Sequence, residues 1–187
     1  VHAATHLLTG WALANAAPLA RRERASVMIA AVAPDVDALG ALVEHTPLHA
    51  LAPGPWFTDY HHVAAHNVGA ALVVLVLALA FSRGSWRTGL LATAAFHLHL
   101  LEDVVGSRGP DGFQWPVPYL LPFSDAWQLT WSGQWALNGW PNFALTIALI
   151  ALALRLAWRR GYSPLELVSL RADARVVEAL RERFGVP

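Results

Sequence analysis

Val68-Gly69-Ala70-Ala71-Leu72-Val73-Val74-Leu75-Val76-Leu77-Ala78-Leu79-Ala80-Phe81 carries no charged side chain. No face of it is left for water, so it reads as a helix surrounded by protein or by lipid. Extended back to His62, the segment reaches the ~20 residues that a spanning helix needs. A second stretch of the same kind runs from Asn142 to Trp158, interrupted by Arg155. Three more segments are long enough but mixed. Ala3 to Leu19 contains Thr5, His6 and Asn15; Ala25 to Val43 contains Asp35 and Asp37; Gly89 to Val105 contains His97, His99, Glu102 and Asp103.

The composition agrees. Of 187 residues, 56% are hydrophobic and 14% charged, where soluble domains carry about 25% charged residues. The expected fold is therefore all-α: an integral membrane bundle of about five apolar helices, with a soluble, wholly buried helical core as the rival. The 13 basic and 13 acidic side chains cancel, which gives no reason to expect nucleic acid as a partner. With no cysteine, disulfides and thiolate metal sites are excluded, so a metal would have to be held by His, Asp or Glu. No basic region followed by a short apolar run and a cleavage site opens the chain, and no removable signal peptide is expected.

Arginines set an expected topology. They cluster at Arg21, Arg22 and Arg24, at Arg83 with Arg87, and at Arg155 with Arg159 and Arg160, after the first, third and fifth segments. If every segment crosses, the three clusters share one side, which the positive-inside rule makes cytoplasmic. His6, Asp35, Asp37, His61, His66, His99 and Asp103 then all fall toward the outer face. Polar groups of this kind inside a membrane bundle mark function by default.

Two stretches differ from the rest. From Val105 to Trp140 the chain is rich in Gly, Pro and Trp, which predicts a loop or short amphipathic helix in the interface, or a cap packed over the bundle. After Tyr162, Ser163-Pro164-Leu165-Glu166 reads as a capping box with Pro at the first helical position. Leu167, Leu170, Ala174, Val177 and Leu180 follow at helical spacing, opposite charged residues. The expected organisation is a membrane-embedded metal-site domain over residues 1–162 and a cytoplasmic amphipathic helical tail over 163–187.

The polar residues pair at ligand-like spacings. His99 and Asp103 share a helix face one turn apart; the pair suits a metal or a core hydrogen bond equally. His62 and His66 have the same spacing, whereas His61 and His66 diverge by about 140° on a regular helix. Asp35 and Asp37 follow Pro34 with no lysine or arginine near them in sequence, and a metal ion would supply the missing positive charge. His45 and His49 flank Pro47 and read as loop residues; His2 and His97 carry little signal. A mixed His and Asp set suits Zn²⁺, Mn²⁺ or Fe²⁺, and seven candidates suffice for one or two ions.

In this order, the residues resemble the YdjM-like family of inner-membrane metal-dependent hydrolases. The resemblance rests on Thr5-His6 with Gly10, Pro34-Asp35-Val36-Asp37, His61 to Asn67, His99 to Asp103, and Trp115-Pro116. It implies that His61, not His62, takes the family's first histidine position of that stretch, with His66 as the second. The chain departs from the family pattern at His62, Ala65, Asn67 and Ala38, all beside the matched positions. More distantly, the order of His and Asp is similar to the zinc-dependent phospholipase C and P1 nuclease group.

The resemblance implies a multi-pass protein of the bacterial inner membrane. It further implies a divalent ion, zinc first, held by His6, Asp35, Asp37, His61, His66, His99 and Asp103. Asp35, Asp37 and His66 are the expected catalytic residues, and Asp35 or Asp37 is the expected base. The expected substrate is a lipid, lipid-linked or small-molecule phosphoester reached from the outer face. The rival classes are a divalent-metal transporter, whose ligands should lie near the bilayer midplane, and a non-catalytic membrane protein with a closed structural metal site.

Overall fold

Helices α1 (Ala3–Ala14) and α2 (Arg21–Ala30) meet where their side chains are smallest. A Cβ on Gly10 would lie 2.5 Å from the Ala31 Cβ and 3.2 Å from the Met28 Cα, so only glycine lets the two backbones approach this closely. The computed structural model, which describes residues 1–51 and 53–187, continues with α3 (Gly40–Glu44), α4 (Trp56–Tyr60), α5 (Val68–Phe81), α6 (Trp86–Gly106), α7 (Trp140–Arg160) and α8 (Leu170–Phe184). Short 3-10 turns occupy Pro34–Leu39, Pro47–Ala50 and Pro164–Leu167. Among the described residues there is no strand, only isolated bridges in the loop before α7.

The side chains facing inward on α5 and α7 are small or polar: Ala71 and Ala78 on one, Asn142, Ala153 and Ala157 on the other. The large apolar ones face out, with Val76, Phe81 and Ile147 each more than 60% exposed. A helix in water would have the opposite pattern; this one suits a lipid surround.

The five expected spans are not equal. Helix α7, with 21 residues and a mean hydropathy of 1.6, is the one clear spanning helix among the described residues. Helix α6 is as long, but Arg87, Glu102 and Asp103 lie within it. Helix α5 has 14 residues, about 21 Å of rise against about 30 Å of hydrocarbon, because the segment expected from His62 does not become helical until Val68. The segment expected from Ala25 to Val43 breaks after Ala30, and its two halves are bent by 64°. Pro34 is the cause: it has no N–H to continue the ladder, and it opens the 3-10 turn instead. The first segment stops at Ala14, where the Asn15 side chain donates to the Trp11 carbonyl at 2.9 Å, ahead of Pro18.

Cross-links fix the helix directions. Thr5 meets Thr146 (2.7 Å) near the starts of α1 and α7, and Asn15 meets Tyr162 (3.2 Å) past their ends, so the two run parallel. Thr88 donates to Glu23 (3.1 Å) and His99 bonds the Ala31 carbonyl (2.8 Å), so α2 and α6 also run parallel. The start of α1, the end of α2, the start of α5 and the end of α6 therefore gather at one end of the bundle. The arginine clusters at Arg21–Arg24, Arg83–Arg87 and Arg159–Arg160 lie at the other.

The tail begins differently from the expected capping box. Ser163 caps only the 3-10 turn, accepting from the Leu165 N–H (3.2 Å). Glu166 does not reach back to the cap; it turns inward and accepts from the Arg24 Nε at 2.6 Å, while the guanidinium lies 3.7 Å from the Tyr162 ring centre. A buried arginine needs that carboxylate more than the helix needs a second cap bond. Helix α8 starts later, capped by Ser169; it packs on α7 and buries Val177.

Candidate metal centre

At the end of the bundle away from the three arginine clusters, three local structures aim polar groups at one point. His99 and Asp103 project inward from α6 and are buried. The 3-10 turn after Pro34 separates Asp35 from Asp37, so that only Asp35 faces the centre. Between α4 and α5 the chain reverses at His62, whose φ of 66° lies in the left-handed region. This reversal brings His61, His62 and His66 together just before Asn67 caps α5, accepting from the Ala70 N–H at 3.0 Å.

One donor atom each from Asp35, His66, His99 and Asp103 lie within 4.8 Å of one another. The Nε2 atoms of His66 and His99 face each other at 3.2 Å. His99 Nε2 is 2.9 Å from Asp103 Oδ2 and 3.5 Å from Asp35 Oδ1, and His66 Nε2 is 3.5 Å from Asp103 Oδ2. His6 stands beside this set, its ring stacked on His99 at 3.7 Å and its Nε2 3.3 Å from Asp103 Oδ1.

The Nδ1 atoms of His6, His61, His66 and His99 are held from behind. His6 Nδ1 pairs with Glu102 (2.6 Å), His99 Nδ1 with the Ala31 carbonyl (2.8 Å), and His61 and His66 Nδ1 with the two oxygens of Asp37 (2.8 and 3.0 Å). This fixes the tautomer with the proton on Nδ1, and in His6, His66 and His99 it turns the Nε2 lone pair inward, the pattern that metal-ligating histidines show. His97 is the contrast: its nitrogens bond the Thr93 carbonyl (2.7 Å) and the Tyr119 hydroxyl (2.8 Å), away from the centre.

These residues fit a divalent ion. Ligand bonds of about 2.0–2.1 Å in a tetrahedron set the donors about 3.3 Å apart, which is the spacing of the nitrogens and oxygens above. Asp103 Oδ2 and His6 Nε2 are buried without a hydrogen-bond partner, a cost that a cation would remove. Without one, a proton supplies the charge. Burial opposes it on His66, but the Asp103 and Asp37 carboxylates prevail and raise its pKa to about 9. Burial dominates at His62 and lowers it to about 3.

Of the seven sequence-predicted residues, Asp35, His66, His99 and Asp103 form the donor set and His6 adjoins it. Asp37 stands behind the histidines, with both oxygens occupied and a further bond from the Ala65 N–H (3.2 Å). His61 lines a cavity of about 420 Å³ that opens onto the centre between Asp35, His62, Phe57, Phe113 and Trp115. Glu102 and His62 are additions from the structure. Glu102 could have been marked as a third inward polar group beside Asp103, and His62 by its spacing from His66, which the resemblance set aside. Its Nε2 is 3.9 Å from Asp103 Oδ2. His45 and His49 are exposed, and His2 sits against Phe143.

The family model for YdjM inner membrane protein matches residues 1–172. No curated protein and no solved structure matches the chain.

Proposed function

The chain belongs to the YdjM inner membrane protein family, and from that premise we propose that it is a membrane-bound, metal-dependent hydrolase acting on a phosphoester. The observation that carries this reading is the donor set of Asp35, His66, His99 and Asp103 at the floor of an open cavity. A structural ion would be closed off, whereas Asp35 belongs both to the donor set and to the cavity wall.

A divalent ion bound here, zinc first, would polarise the scissile group and lower the pKa of water toward neutrality. The chain's own residues supply the rest. Asp37 and the Ala31 carbonyl hold His66 and His99 in one tautomer. With His66, His99 and Asp103 as the protein ligands, a position at the ion would be left for water, and Asp35, the more exposed of the two aspartates, is the group placed to take its proton. Asp37 is spent on His61 and His66 and acts as a positioning residue. Phe57, Phe113 and Trp115 form an apolar wall of the cavity.

By the positive-inside rule, the arginine end is cytoplasmic and the cavity faces outward. That position suits a lipid head group or lipid-linked phosphate; the choice of a phosphoester rests on the distant likeness to the zinc-dependent phospholipase C and P1 nuclease group. Crossing by α7 and α6, with the bent pair as a broken span, makes the protein multi-pass.

The test is elemental analysis of detergent-purified protein, followed by hydrolysis assays on phosphomonoesters, phosphodiesters and phospholipids with the wild type and His66→Ala. Metal-dependent turnover lost in the variant supports the reading. Stoichiometric metal with no hydrolysis across the panel overturns it.

A further inference from the structure

A second cavity, of about 400 Å³, lies between α2 and α5 and shares no lining residue with the metal-site cavity. We propose that it binds one acyl chain of an anionic phospholipid, with the lipid phosphate on Arg22. Small residues, Ala25 and Ala30 on α2, Ala33 just beyond it and Ala78 on α5, make the groove, and Ile29, Leu77 and Phe81 wall it. Its polar groups are Arg22 and Ser26, and the Ser26 hydroxyl already donates to the Arg22 carbonyl at 3.0 Å. Apart from Arg22 at one end, no side chain of the groove is left to donate to a polar ligand, so the occupant of the groove is hydrocarbon. At this surface of a membrane protein, that hydrocarbon is a lipid tail.

Arg22 selects the head group. Its neighbours are committed: Arg21 donates to the Glu166 carbonyl and Arg24 to the Glu166 carboxylate, each at 2.6 Å. The adjacent acid is committed as well, since Glu23 accepts from the Ala20 N–H (2.7 Å) and the Thr88 hydroxyl (3.1 Å). The Arg22 guanidinium is exposed, and among the described residues no hydrogen bond or salt bridge holds it. It stands at the arginine end of the bundle, where a basic side chain between helices meets anionic head groups, an attraction of about 1 kcal/mol per residue. From Arg22 to Ala30 the groove follows about 12 Å of helical rise, most of one leaflet's half of the about 30 Å hydrocarbon core.

The test is native mass spectrometry of delipidated, detergent-purified protein titrated with dioleoyl phosphatidylglycerol or dioleoyl phosphatidylcholine. One phosphatidylglycerol should be retained in preference to phosphatidylcholine. Arg22→Gln should lower that preference about fivefold, the effect of one arginine, while Arg83→Gln leaves it unchanged. Ala25→Phe, which fills the groove, should reduce retention of both lipids. Equal retention of the two lipids, or a preference that survives Arg22→Gln, overturns the proposal. A dimer that Ala25→Phe dissociates overturns it in favour of a second copy of this chain. If Ala25→Phe does not fold, the two arginine variants still decide.

Discussion

His66 and His99 face each other nitrogen to nitrogen across 3.2 Å, both buried, each with its other nitrogen held by an oxygen. Two neutral imidazoles with protons on Nδ1 would oppose their lone pairs at this distance, and two charged ones would repel. A shared proton or a shared cation resolves the conflict. The nearby Asp103 and Asp35 carboxylates favour the cation of higher charge. His66→Ala and His99→Ala should each reduce bound metal to well below one ion per chain, measured by elemental analysis after dialysis. His97→Ala, at a histidine satisfied elsewhere, should leave the metal content unchanged. Full occupancy in both site variants would place the metal elsewhere.

Asp37 orients His61 and His66 without facing the centre, so its removal tests positioning rather than ligation. Asp37→Asn keeps the size of the side chain but loses one acceptor, and should weaken metal affinity by about 10–100-fold. Glu102→Gln acts through His6, which adjoins the four-donor set, and should weaken it less. Competition with a chromophoric chelator gives both values. A larger loss in Glu102→Gln would move the centre toward His6.

The polar character of the centre was legible in the sequence; its layering was not. Histidines and aspartates inside otherwise apolar segments are costly alone, and the arginine pattern alone put them at one end, as the cross-links between helices also do. Which aspartate faces the centre depends on the 3-10 turn that follows Pro34, a local winding that a spacing of two residues does not reveal. The role of His62 depends on a left-handed backbone angle that its residue type does not announce. Helix lengths were overestimated for the same reason: hydropathy continues through Ala31–Ala33 and Val63–Ala65, while proline and the chain reversal end the helices. The tail helix was legible from its periodicity, but its start was not, because the pull of Arg24 on Glu166 is a tertiary contact.

Metal binding should strengthen with pH. Without metal, His66 keeps its proton until about pH 9, since the Asp103 and Asp37 carboxylates outweigh its burial. Ligation needs the neutral ring, so below that pH each bound ion displaces the His66 proton. The apparent affinity should therefore rise about tenfold per pH unit for that proton between pH 6 and 8, and level off above 9. Titration calorimetry in two buffers of different ionisation enthalpy measures the proton released. Affinity independent of pH across this range would show that His66 is not a ligand.

Arg24 and Glu166 tie the tail to α2 through a buried, two-pronged contact, with Tyr162 beneath the guanidinium. Removing one partner leaves the other charge buried without compensation, which costs about 3–5 kcal/mol. Glu166→Gln should therefore lower the melting temperature in detergent by roughly 6–20 °C for a chain of this size. The double variant Arg24→Met with Glu166→Leu removes both charges and fills similar volume, so it should recover much of that loss. Metal content should stay unchanged in both, because the pair lies at the opposite end of the bundle from His66 and Asp103. A single variant as stable as wild type would mean that water reaches the pair and that the tail is held mainly by the packing of α8 on α7.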